Sequence, residues 1–564
     1  MGSNGDLNAN SQCLSSTGDL VLDKAVNQWM AWDKNPQTRK QMESLVRKGH
    51  VVELRRRLCT RMTFGTAGLR AEMGAGFACI NDLTVIQSTQ GMYKYLAKYF
   101  PDLKTRGLVV GFDTRALTSS GCTSERLARL TAAVMLCKDI AVYLFSTYVP
   151  TPFVPYAVMK YEAAAGVMIT ASHNRKEDNG YKVYWHNGAQ ISSPHDKEIL
   201  HCIEENTEPW PESWNEHLVE SSLLRRDPLE DVCRWYMEEL NTICFHRELN
   251  AKSPLKSVLC TNFHGVGHNY VQRAFQQFGF PPPIPVPEQK DPDPDFFTVS
   301  CPNPEEGESV LELSLHLAER EEAHIVVATD PDADRLAVAE RNGNFVWKVF
   351  TGNELAALLG WWMLFNWKEA HPDPADTEIV YMLATTVSSK ILNAFARIEG
   401  FHFECIRGFL CGNMVLDKDG VSKATVVAEM AAYLHTKNLS LNQQLINIYE
   451  IYGYHVSRTS YVLCSDPLTI HRIFSRLHNF GGPGDYPELC GDYCITHIRD
   501  VTTGYDSSQP DKKCVCQSSY FMFLDFKSKK CKTPLTLSVV QEWLNKRNTT
   551  TVAKFLDTSV CGGS

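Results

Sequence analysis

The chain has 564 residues, of which 44% are hydrophobic and 21% are charged, and its formal net charge is −9. This length is too great for a single core and predicts three or four domains. The acidic balance gives no electrostatic footprint for nucleic acid or anionic lipid, so phosphorylated small molecules are better candidate partners. The 19 cysteines are scattered without a C-x-x-C pair, which predicts reduced thiols rather than disulfides or a zinc site.

The amino-terminal segment, residues 1–28, contains no apolar signal sequence and no myristoylation pattern, and we expect a disordered tail there. The best candidate for a membrane span, residues 355–367, is too short to cross a bilayer and is interrupted by Asn366. This stretch predicts a buried helix instead. We therefore expect a cytoplasmic monomer that binds neither membranes nor nucleic acid.

Four apolar segments of strand length each run into a polar or charged loop. They span residues 108–115, 167–174, 325–335 and 379–389. Helical patterns follow the first, third and fourth, as from Gly352, where Thr351 and Glu354 have the spacing of a capping box. The repetition of strand, loop and helix predicts α/β domains with mixed, mostly parallel sheets, whose binding loops lie at the carboxyl ends of the strands.

The second of these segments ends in a group of polar side chains. An apolar run stops at Ser172, His173 and Asn174, and the pair Asn179-Gly180 that follows is typical of a turn. A serine at a strand end is a candidate carrier of a phosphoryl group. A serine in such a triplet can also simply cap a helix or complete a turn, and this alternative stays open on these residues alone.

The third segment ends in carboxylates at alternate positions: Asp330, Asp332 and Asp334. In extended backbone alternate side chains share a face, and three hard oxygen donors suit Mg²⁺. The metal in turn suits a serine that transfers a phosphoryl group. An EF-hand is disfavoured, because Arg335 and Arg341 stand where glycine and glutamate are required. A second acidic run, residues 291–295, follows no apolar strand and is expected to be a surface turn.

Four segments together resemble the α-D-phosphohexomutases. They are T-A-S-H-N at 170–174 with N-G-x-K at 179–182, D-x-D-x-D-R at 330–335, F-G-T-A-G-L-R at 64–70 and G-F-D-T-R at 111–115. Within the family, the resemblance is greatest to the branch that contains type 2 phosphoglucomutases and glucose-1,6-bisphosphate synthases, and Arg175 points to the synthases. Neither a P-loop nor a G-x-S-x-G elbow occurs, which disfavours a P-loop kinase and a serine hydrolase.

The resemblance implies a role for each candidate residue. Ser172 would be the phosphoserine, and it would ligate Mg²⁺ together with the three aspartates. His173 and Lys182 would act in acid–base catalysis, although either can be merely structural. The residues expected to bind substrate or phosphate are Arg70, Asn174 and Arg335.

The resemblance leaves two reactions open, both on sugar phosphates. In a synthase, 1,3-bisphosphoglycerate recharges the serine, glucose 1-phosphate accepts the phosphoryl group, and glucose 1,6-bisphosphate leaves. In a mutase the bisphosphate is retained and the enzyme interconverts sugar 1-phosphates with 6- or 5-phosphates. A truncated isoform without efficient turnover is the alternative to both.

The chain departs from the family in two places. The sequence around 401–420 lacks the family's G-F-K and E-E-S-I-G segments, and the R-T-S-G-T loop is missing from the region after 510. With boundaries near 215, 346 and 450, we expect an α/β phosphoserine domain, an α/β metal-binding domain, a truncated α/β sugar-binding domain and a smaller, incomplete α+β phosphate-binding domain. Their predicted ranges are 29–215, 216–346, 347–450 and 451–564.

Overall fold

A computed structural model describes residues 17–455, apart from 63, 65–67, 261–263, 300–301, 304–307, 342–345, 386–387 and 407–413. Beyond 455 it describes residues 472, 475–476, 478–479, 482, 485–486, 488–490, 493–500, 503, 505–507 and 522–528. The described residues belong to two compact units. The first lies within 1–386 and 391–451, and the second within 387–390 and 452–564.

Three helices open the described chain: α1 (Leu20–Trp32), α2 (Pro36–Arg47) and α3 (Val51–Leu58). The Asp19 carboxylate caps α1 by accepting hydrogen bonds from two backbone amides of its first turn. Leu22, Val26 and Trp29 of α1 are buried in one cluster with α2 and α3. The expected disordered tail is therefore wrong from Leu20 onward, because a capped helix with an apolar face is ordered by packing. Residues 1–16 lie outside the described part.

The first sheet has six strands in the order β1-β7-β6-β2-β5-β8. Strands β2, β5, β6 and β8 are parallel, whereas β7 is antiparallel to β6 and to β1. Both β2 and β6 are fully buried, as the apolar runs predicted. The helices and strands of this part of the chain, which include two strands outside the sheet (β3 and β4), are β1 (Leu69–Glu72), α4 (Asp82–Tyr99), α5 (Leu103–Arg106), β2 (Leu108–Phe112), β3 (Ala116–Leu117), β4 (Cys122–Thr123), α6 (Ser124–Leu136), β5 (Val142–Leu144), α7 (Phe153–Lys160), β6 (Ala165–Ile169), β7 (Asp178–Trp185), α8 (His195–Glu205), α9 (His217–Ser221) and β8 (Arg225–Arg226).

The second sheet has five strands in the order β10-β9-β11-β12-β13. Strands β10, β9 and β11 are parallel, and β12 and β13 continue the sheet antiparallel. The predicted strand–helix succession is wrong after β11, since two strands precede the next helix. The elements are α10 (Leu229–Glu239), α11 (Arg247–Lys252), β9 (Ser257–Cys260), α12 (His268–Gln277), β10 (Ile284–Pro285), α13 (Glu308–Arg320), β11 (Ile325–Thr329), β12 (Leu336–Arg341) and β13 (Trp347–Phe350).

The third part of the first unit pairs two parallel strands, β14 and β15. The capping box is confirmed: the Thr351 hydroxyl accepts from the Glu354 amide, and the Glu354 carboxylate accepts from the Thr351 amide. The described helices are each too short or too polar to span a lipid bilayer. Within the stretch 401–420, where the departure from the family was predicted, residues 407–413 lie outside the described part. The elements are α14 (Gly352–Ala370), β14 (Tyr381–Thr385), α15 (Ile391–Glu399), β15 (His402–Ile406), α16 (Gly420–Thr436) and α17 (Leu441–Tyr452).

The second unit contains an antiparallel sheet, in which β17 pairs with three neighbours. Its strands are β16 (Leu489–Cys490), β17 (Tyr493–Asp500), β18 (Tyr505–Asp506) and β19 (Met522–Ser528). The fold is thus a multi-domain α/β fold with mixed sheets, as predicted. Residues 508–521 and 529–564, where the family's last loop was found to be missing, lie outside the described part.

Candidate active site

Ser172 lies in the turn between β6 and β7, at the carboxyl end of a parallel strand. Its φ angle is +54°, a left-handed conformation that few residues other than glycine adopt. The turn predicted at Asn179-Gly180 is wrong, because both residues lie inside β7. Glycine is needed at 180 for another reason: a Cβ atom there would lie 2.5 Å from the carbonyl oxygen of Thr170.

The Ser172 side chain points to the acidic loop that follows β11. Its hydroxyl donates a hydrogen bond to Oδ2 of Asp330 at 2.6 Å, and its backbone N–H donates to the Thr170 hydroxyl at 2.8 Å. Only 1% of Ser172 is exposed. The structure therefore brings together the serine and the aspartate loop that are 158 residues apart in the sequence.

Three buried carboxylates follow β11: Asp330, Asp332 and Asp334. One oxygen from each lies within 4.8 Å of the others, so that a single metal ion could contact all three. Oδ1 of Asp332 and Oδ1 of Asp334 are buried without a hydrogen-bond partner in the described part of the chain. Buried polar atoms normally have a partner, and a hard cation would supply one. The residues present therefore fit a metal site.

Two lysines approach the acidic loop. Nζ of Lys182 lies 2.7 Å from Asp332 and 3.0 Å from Asp334, and Nζ of Lys418 lies 3.2 Å from Asp334. Burial alone would lower the pKa of Lys182, but the two aspartates raise it, so the lysine stays charged. Burial would likewise raise the pKa of Asp334, but Lys182, Lys418 and Arg335 hold it well below its usual range.

Asp330 is in a different electrostatic state. Its pKa is raised well above the usual range, because burial and the carboxylates of Asp332 and Asp334 oppose its ionisation. It accepts the Ser172 hydroxyl, and its second oxygen accepts the backbone N–H of Arg335 at 2.9 Å. A bound metal ion would reverse the pKa shift.

The other predicted residues surround the serine turn. Nδ1 of His173 lies 3.4 Å from Oγ of Ser172. Burial, and then the positive charges of Arg335 and Arg70, lower the pKa of His173 to about 3. The imidazole is therefore neutral at pH 7 and can accept a proton. Nη1 of Arg70 donates to Oδ1 of Asn174 at 3.3 Å, so these two predicted phosphate-binding residues meet at the turn.

Sequence reasoning missed three side chains at this site: Thr151, Lys418 and Arg115. The Thr151 hydroxyl donates to Oδ2 of Asp332 at 2.5 Å, and its N–H donates to the carbonyl of the same aspartate at 2.8 Å. Lys418 and Arg115 belong to segments that resemble the family, so the sequence contained a signal for both. Thr151 stands in a short loop after β5 with no motif to mark it.

Comparison with known proteins identifies the family. Residues 61–210 match the model for phosphoglucomutase/phosphomannomutase alpha/beta/alpha domain I, and residues 234–343 match the one for domain II. The chain is 65% identical over 540 residues to glucose 1,6-bisphosphate synthase of Homo sapiens, covering 91% of this chain and 87% of that protein. The chain belongs to the α-D-phosphohexomutase family. It is also 52% identical over 529 residues to phosphopentomutase of Mus musculus, covering 89% of this chain and 85% of that one.

Two solved structures share the fold of this phosphohexomutase. A phosphoglucomutase/phosphomannomutase family protein from Burkholderia thailandensis has a TM-score of 0.55 at 14% identity, covering 89% of this chain and 98% of that one. Parafusin, a phosphoglucomutase from Paramecium, has a TM-score of 0.56 at 16% identity, covering 88% of this chain and 96% of that one. At such low identities these likenesses concern the fold alone.

The acidic loop of this phosphohexomutase is held by backbone contacts from other parts of the first unit. The amide of Val266 donates to the carbonyl of Pro331 at 2.9 Å, and the amide of Gly420 donates to the carbonyl of Ala333 at 3.1 Å. Ala333 has a φ angle of +56°, so the loop doubles back between its carboxylates. The three carboxylates are thus presented by a loop fixed on more than one side.

Proposed function

We propose that the chain is a Mg²⁺-dependent phosphotransferase that forms glucose 1,6-bisphosphate, with glucose 1-phosphate as acceptor, 1,3-bisphosphoglycerate as donor and Ser172 as carrier. One observation carries the proposal: the Ser172 hydroxyl lies 2.6 Å from Asp330, within a group of three aspartates that could hold a metal ion. The similarity to glucose 1,6-bisphosphate synthases supports the choice of reaction. We also propose a cytoplasmic monomer, since one chain supplies all the site residues described.

Ser172 and the three aspartates would hold Mg²⁺, whose positive charge stabilises a transferring phosphoryl group. Lys182 is charged and buried beside this position, so it would add positive charge next to the phosphoryl oxygens. Arg70, Asn174 and Arg335 would bind phosphate oxygens through directed N–H groups, which is the geometry that guanidinium and amide donors favour.

The proposed reaction has two halves. In the first, Oγ of Ser172 bonds to the phosphorus of the donor's acyl phosphate, the bond from that phosphorus to the acyl oxygen breaks, and the serine proton leaves to solvent. In the second, the 6-hydroxyl of glucose 1-phosphate bonds to the same phosphorus and the bond to Oγ breaks. Oγ then takes up a proton from His173, whose Nδ1 lies 3.4 Å away.

The 6-hydroxyl proton needs an acceptor in the second half, and we assign that role to His173. Its ring is neutral, and Nδ1 lies 3.4 Å from Oγ of Ser172. A phosphoserine carries close to two negative charges, and such charges raise the pKa of a neighbouring imidazole. Phosphorylation of Ser172 would therefore make His173 a better base at the step where a base is required.

A phosphopentomutase is the second candidate, because relatives with that activity match most of the chain. The serine and the metal loop would serve it equally, since the two reactions differ in the donor accepted and in whether the bisphosphate is retained. A catalytically impaired isoform is the third candidate. The absence of the family's G-F-K, E-E-S-I-G and R-T-S-G-T segments favours it, because those segments would hold the sugar and its distal phosphate.

The test uses the purified full chain with Mg²⁺ and either 1,3-bisphosphoglycerate or glucose 1,6-bisphosphate as donor. Intact-mass and peptide analysis should place one phosphoryl group on Ser172, and Ser172→Ala should take up none. Product analysis then separates the candidates: glucose 1,6-bisphosphate accumulation indicates the synthase, and conversion of ribose 1-phosphate to ribose 5-phosphate indicates the mutase. Equal labelling of Ser172→Ala would refute the carrier assignment, and labelling without either product would indicate the impaired isoform.

A further inference from the structure

Arg115 lies in the loop after β2, beside the strand that leads to Ser172. Strand β2 pairs in parallel with β6, and Phe112 is the partner of Ile169 at the ends of the two strands. The two loops therefore leave the same edge of the sheet. The Arg115 side chain is fully buried, and its guanidinium enters the turn formed by residues 172–178.

The guanidinium donates to four backbone carbonyls of that turn. Nη1 donates to the carbonyls of Arg175 at 2.6 Å and of Asp178 at 2.9 Å. Nη2 donates to the carbonyl of Asn174 at 2.8 Å and to that of Ser172 itself. Backbone carbonyls in an irregular turn have no strand ladder to pair with, and buried ones require a donor. Arg115 supplies a donor to all four, and the carbonyl of Arg175 also accepts the amide of Asp178 at 3.1 Å.

Two further contacts fix the guanidinium. Nε lies 3.3 Å from Oδ2 of Asp113, whose other oxygen accepts the Ser124 hydroxyl. The ring of Phe296, which is 2% exposed, lies 5.1 Å from the guanidinium carbon and belongs to the Pro-rich segment 281–304. Lys176 of the turn also pairs with Asp295 of that segment at 3.1 Å. Arg115 thus links the turn to β2 on one side and to the Pro-rich segment on the other.

The turn needs such support because Ser172 has a left-handed backbone, which costs a residue with a side chain roughly 1–2 kcal/mol. This conformation persists only where surrounding contacts enforce it. We infer that Arg115 is a positioning residue, which holds the serine turn so that Oγ of Ser172 faces Asp330. The inference rests on the proposed function, because Oγ of Ser172 is the proposed phosphoryl carrier.

The alternative is that Arg115 only neutralises Asp113 in the core. Lysine separates the two roles, because it keeps the charge and can pair with Asp113 but lacks the planar fork that reaches several carbonyls. Arg115→Lys is therefore the main variant. Phe296→Leu is the second, since it keeps an apolar side chain and removes only the aromatic face. Arg126→Lys is the matched control: Arg126 pairs with Asp82 at 2.8 Å and Glu216 at 2.7 Å, outside the site.

The experiment measures three quantities on the full-length chain and each variant. They are the rate of Ser172 phosphorylation per folded molecule, the affinity for Mn²⁺, and hydrogen exchange of peptides covering 170–180. We expect Arg115→Lys to slow phosphorylation on the order of 100-fold, the effect of a reacting group misplaced by about 1 Å. Its Mn²⁺ affinity should fall less, by under about tenfold, since the three aspartates are unchanged and only the Ser172 oxygen is displaced. Exchange should increase within 170–180.

Phe296→Leu should produce the same pattern with a smaller loss, about threefold to tenfold, and it decides the question if Arg115→Lys fails to fold. Arg126→Lys should lower the melting temperature without a change in phosphorylation rate or in exchange at 170–180. The inference would be overturned if Arg115→Lys and Phe296→Leu both showed the parent's phosphorylation rate and the parent's hydrogen exchange at 170–180, and differed from it only in a lower melting temperature. If the parent itself takes up no phosphate, the proposed function fails, and the exchange data alone decide whether Arg115 holds the turn.

Discussion

Replacing Asp332 by asparagine isolates the charge of one carboxylate in the acidic loop. Asp332 is fully buried, its Oδ2 accepts from Lys182 at 2.7 Å and from Thr151 at 2.5 Å, and its Oδ1 has no partner among the described residues. An amide of the same shape keeps the side-chain volume. It removes one negative charge and turns one acceptor oxygen into a donor.

The expected loss of stability is modest and the expected loss of function is large. Breaking a buried ion pair outright costs about 3–5 kcal/mol. Lys182 retains Asp334 at 3.0 Å and the amide oxygen can still accept, so we expect about 1–3 kcal/mol. Metal affinity should fall at least about tenfold, and the rate of Ser172 phosphorylation at least about 100-fold, because changes even one step outside a metal's ligands cost 10–100-fold.

The chain contains its own control, since Asp291, Asp293 and Asp295 repeat the D-x-D-x-D spacing in the Pro-rich segment. The carboxylate of Asp293 accepts the amide of Asp295 at 2.8 Å, and among the described residues no hydrogen bond or ion pair joins it to the acidic loop. Asp293→Asn should leave both quantities within about twofold of the parent. Isothermal titration with Mg²⁺ and intact-mass kinetics of phosphorylation measure them. Equal harm from Asp293→Asn and Asp332→Asn would show that the wrong acidic cluster has been assigned.

Three further predictions follow from other parts of the molecule. Gly180→Ala should lower the melting temperature and slow Ser172 phosphorylation together, because its Cβ would meet the Thr170 carbonyl at 2.5 Å; a variant as stable and as fast as the parent would contradict this. Burial raises the pKa of Asp33 to about 6, so the stability that the protonated carboxyl contributes is present below pH 4 and is lost as the pH rises through 6. The stability of Asp33→Asn relative to the parent should therefore increase from pH 4 to pH 7, by up to about 3 kcal/mol. A difference in melting temperature that does not change with pH would refute this prediction. Restoring the G-F-K, E-E-S-I-G and R-T-S-G-T segments should raise turnover of glucose 1-phosphate well above that of the chain as it stands, since positioning contributes several kcal/mol to catalysis. A coupled assay with glucose-6-phosphate dehydrogenase measures the two rates, and a thermal melt shows that both proteins are folded. Equal rates for the two folded proteins would contradict the prediction.

The strands that support the site were predictable because each is a compact apolar run. Strands β2, β6 and β11 are buried along their whole length. A strand of this kind can be predicted without knowing which strands it pairs with. Strand β7 was missed because Asn179-Gly180 is typical of turns. Its glycine is explained by a close approach to Thr170, which is a contact across the sheet and leaves no local signature.

The candidate site was predictable where neighbouring residues act together, and less so where distant residues meet. Ser172 with His173, and Asp330 with Asp332 and Asp334, stand in short motifs whose chemistry can be inferred from spacing. Thr151 and Arg115 stabilise those motifs from loops far away in the sequence. The roles assigned to individual residues stay predictions, to be tested by the variants above.

The charges at the site explain why metal binding and phosphorylation are expected to be linked. Among the described residues, Asp332 and Asp334 form ion pairs with Lys182, Lys418 and Arg335, and Arg70 adds positive charge beside the serine turn. A buried site of this kind cannot gain two negative charges with a phosphoserine unless positive charge accompanies them, since an unpaired buried charge is costly. A divalent cation supplies that charge. The two measurements on Asp332→Asn should therefore fall together, and a variant that bound Mg²⁺ poorly yet carried phosphate on Ser172 at the parental rate would show that the positive side chains alone are sufficient.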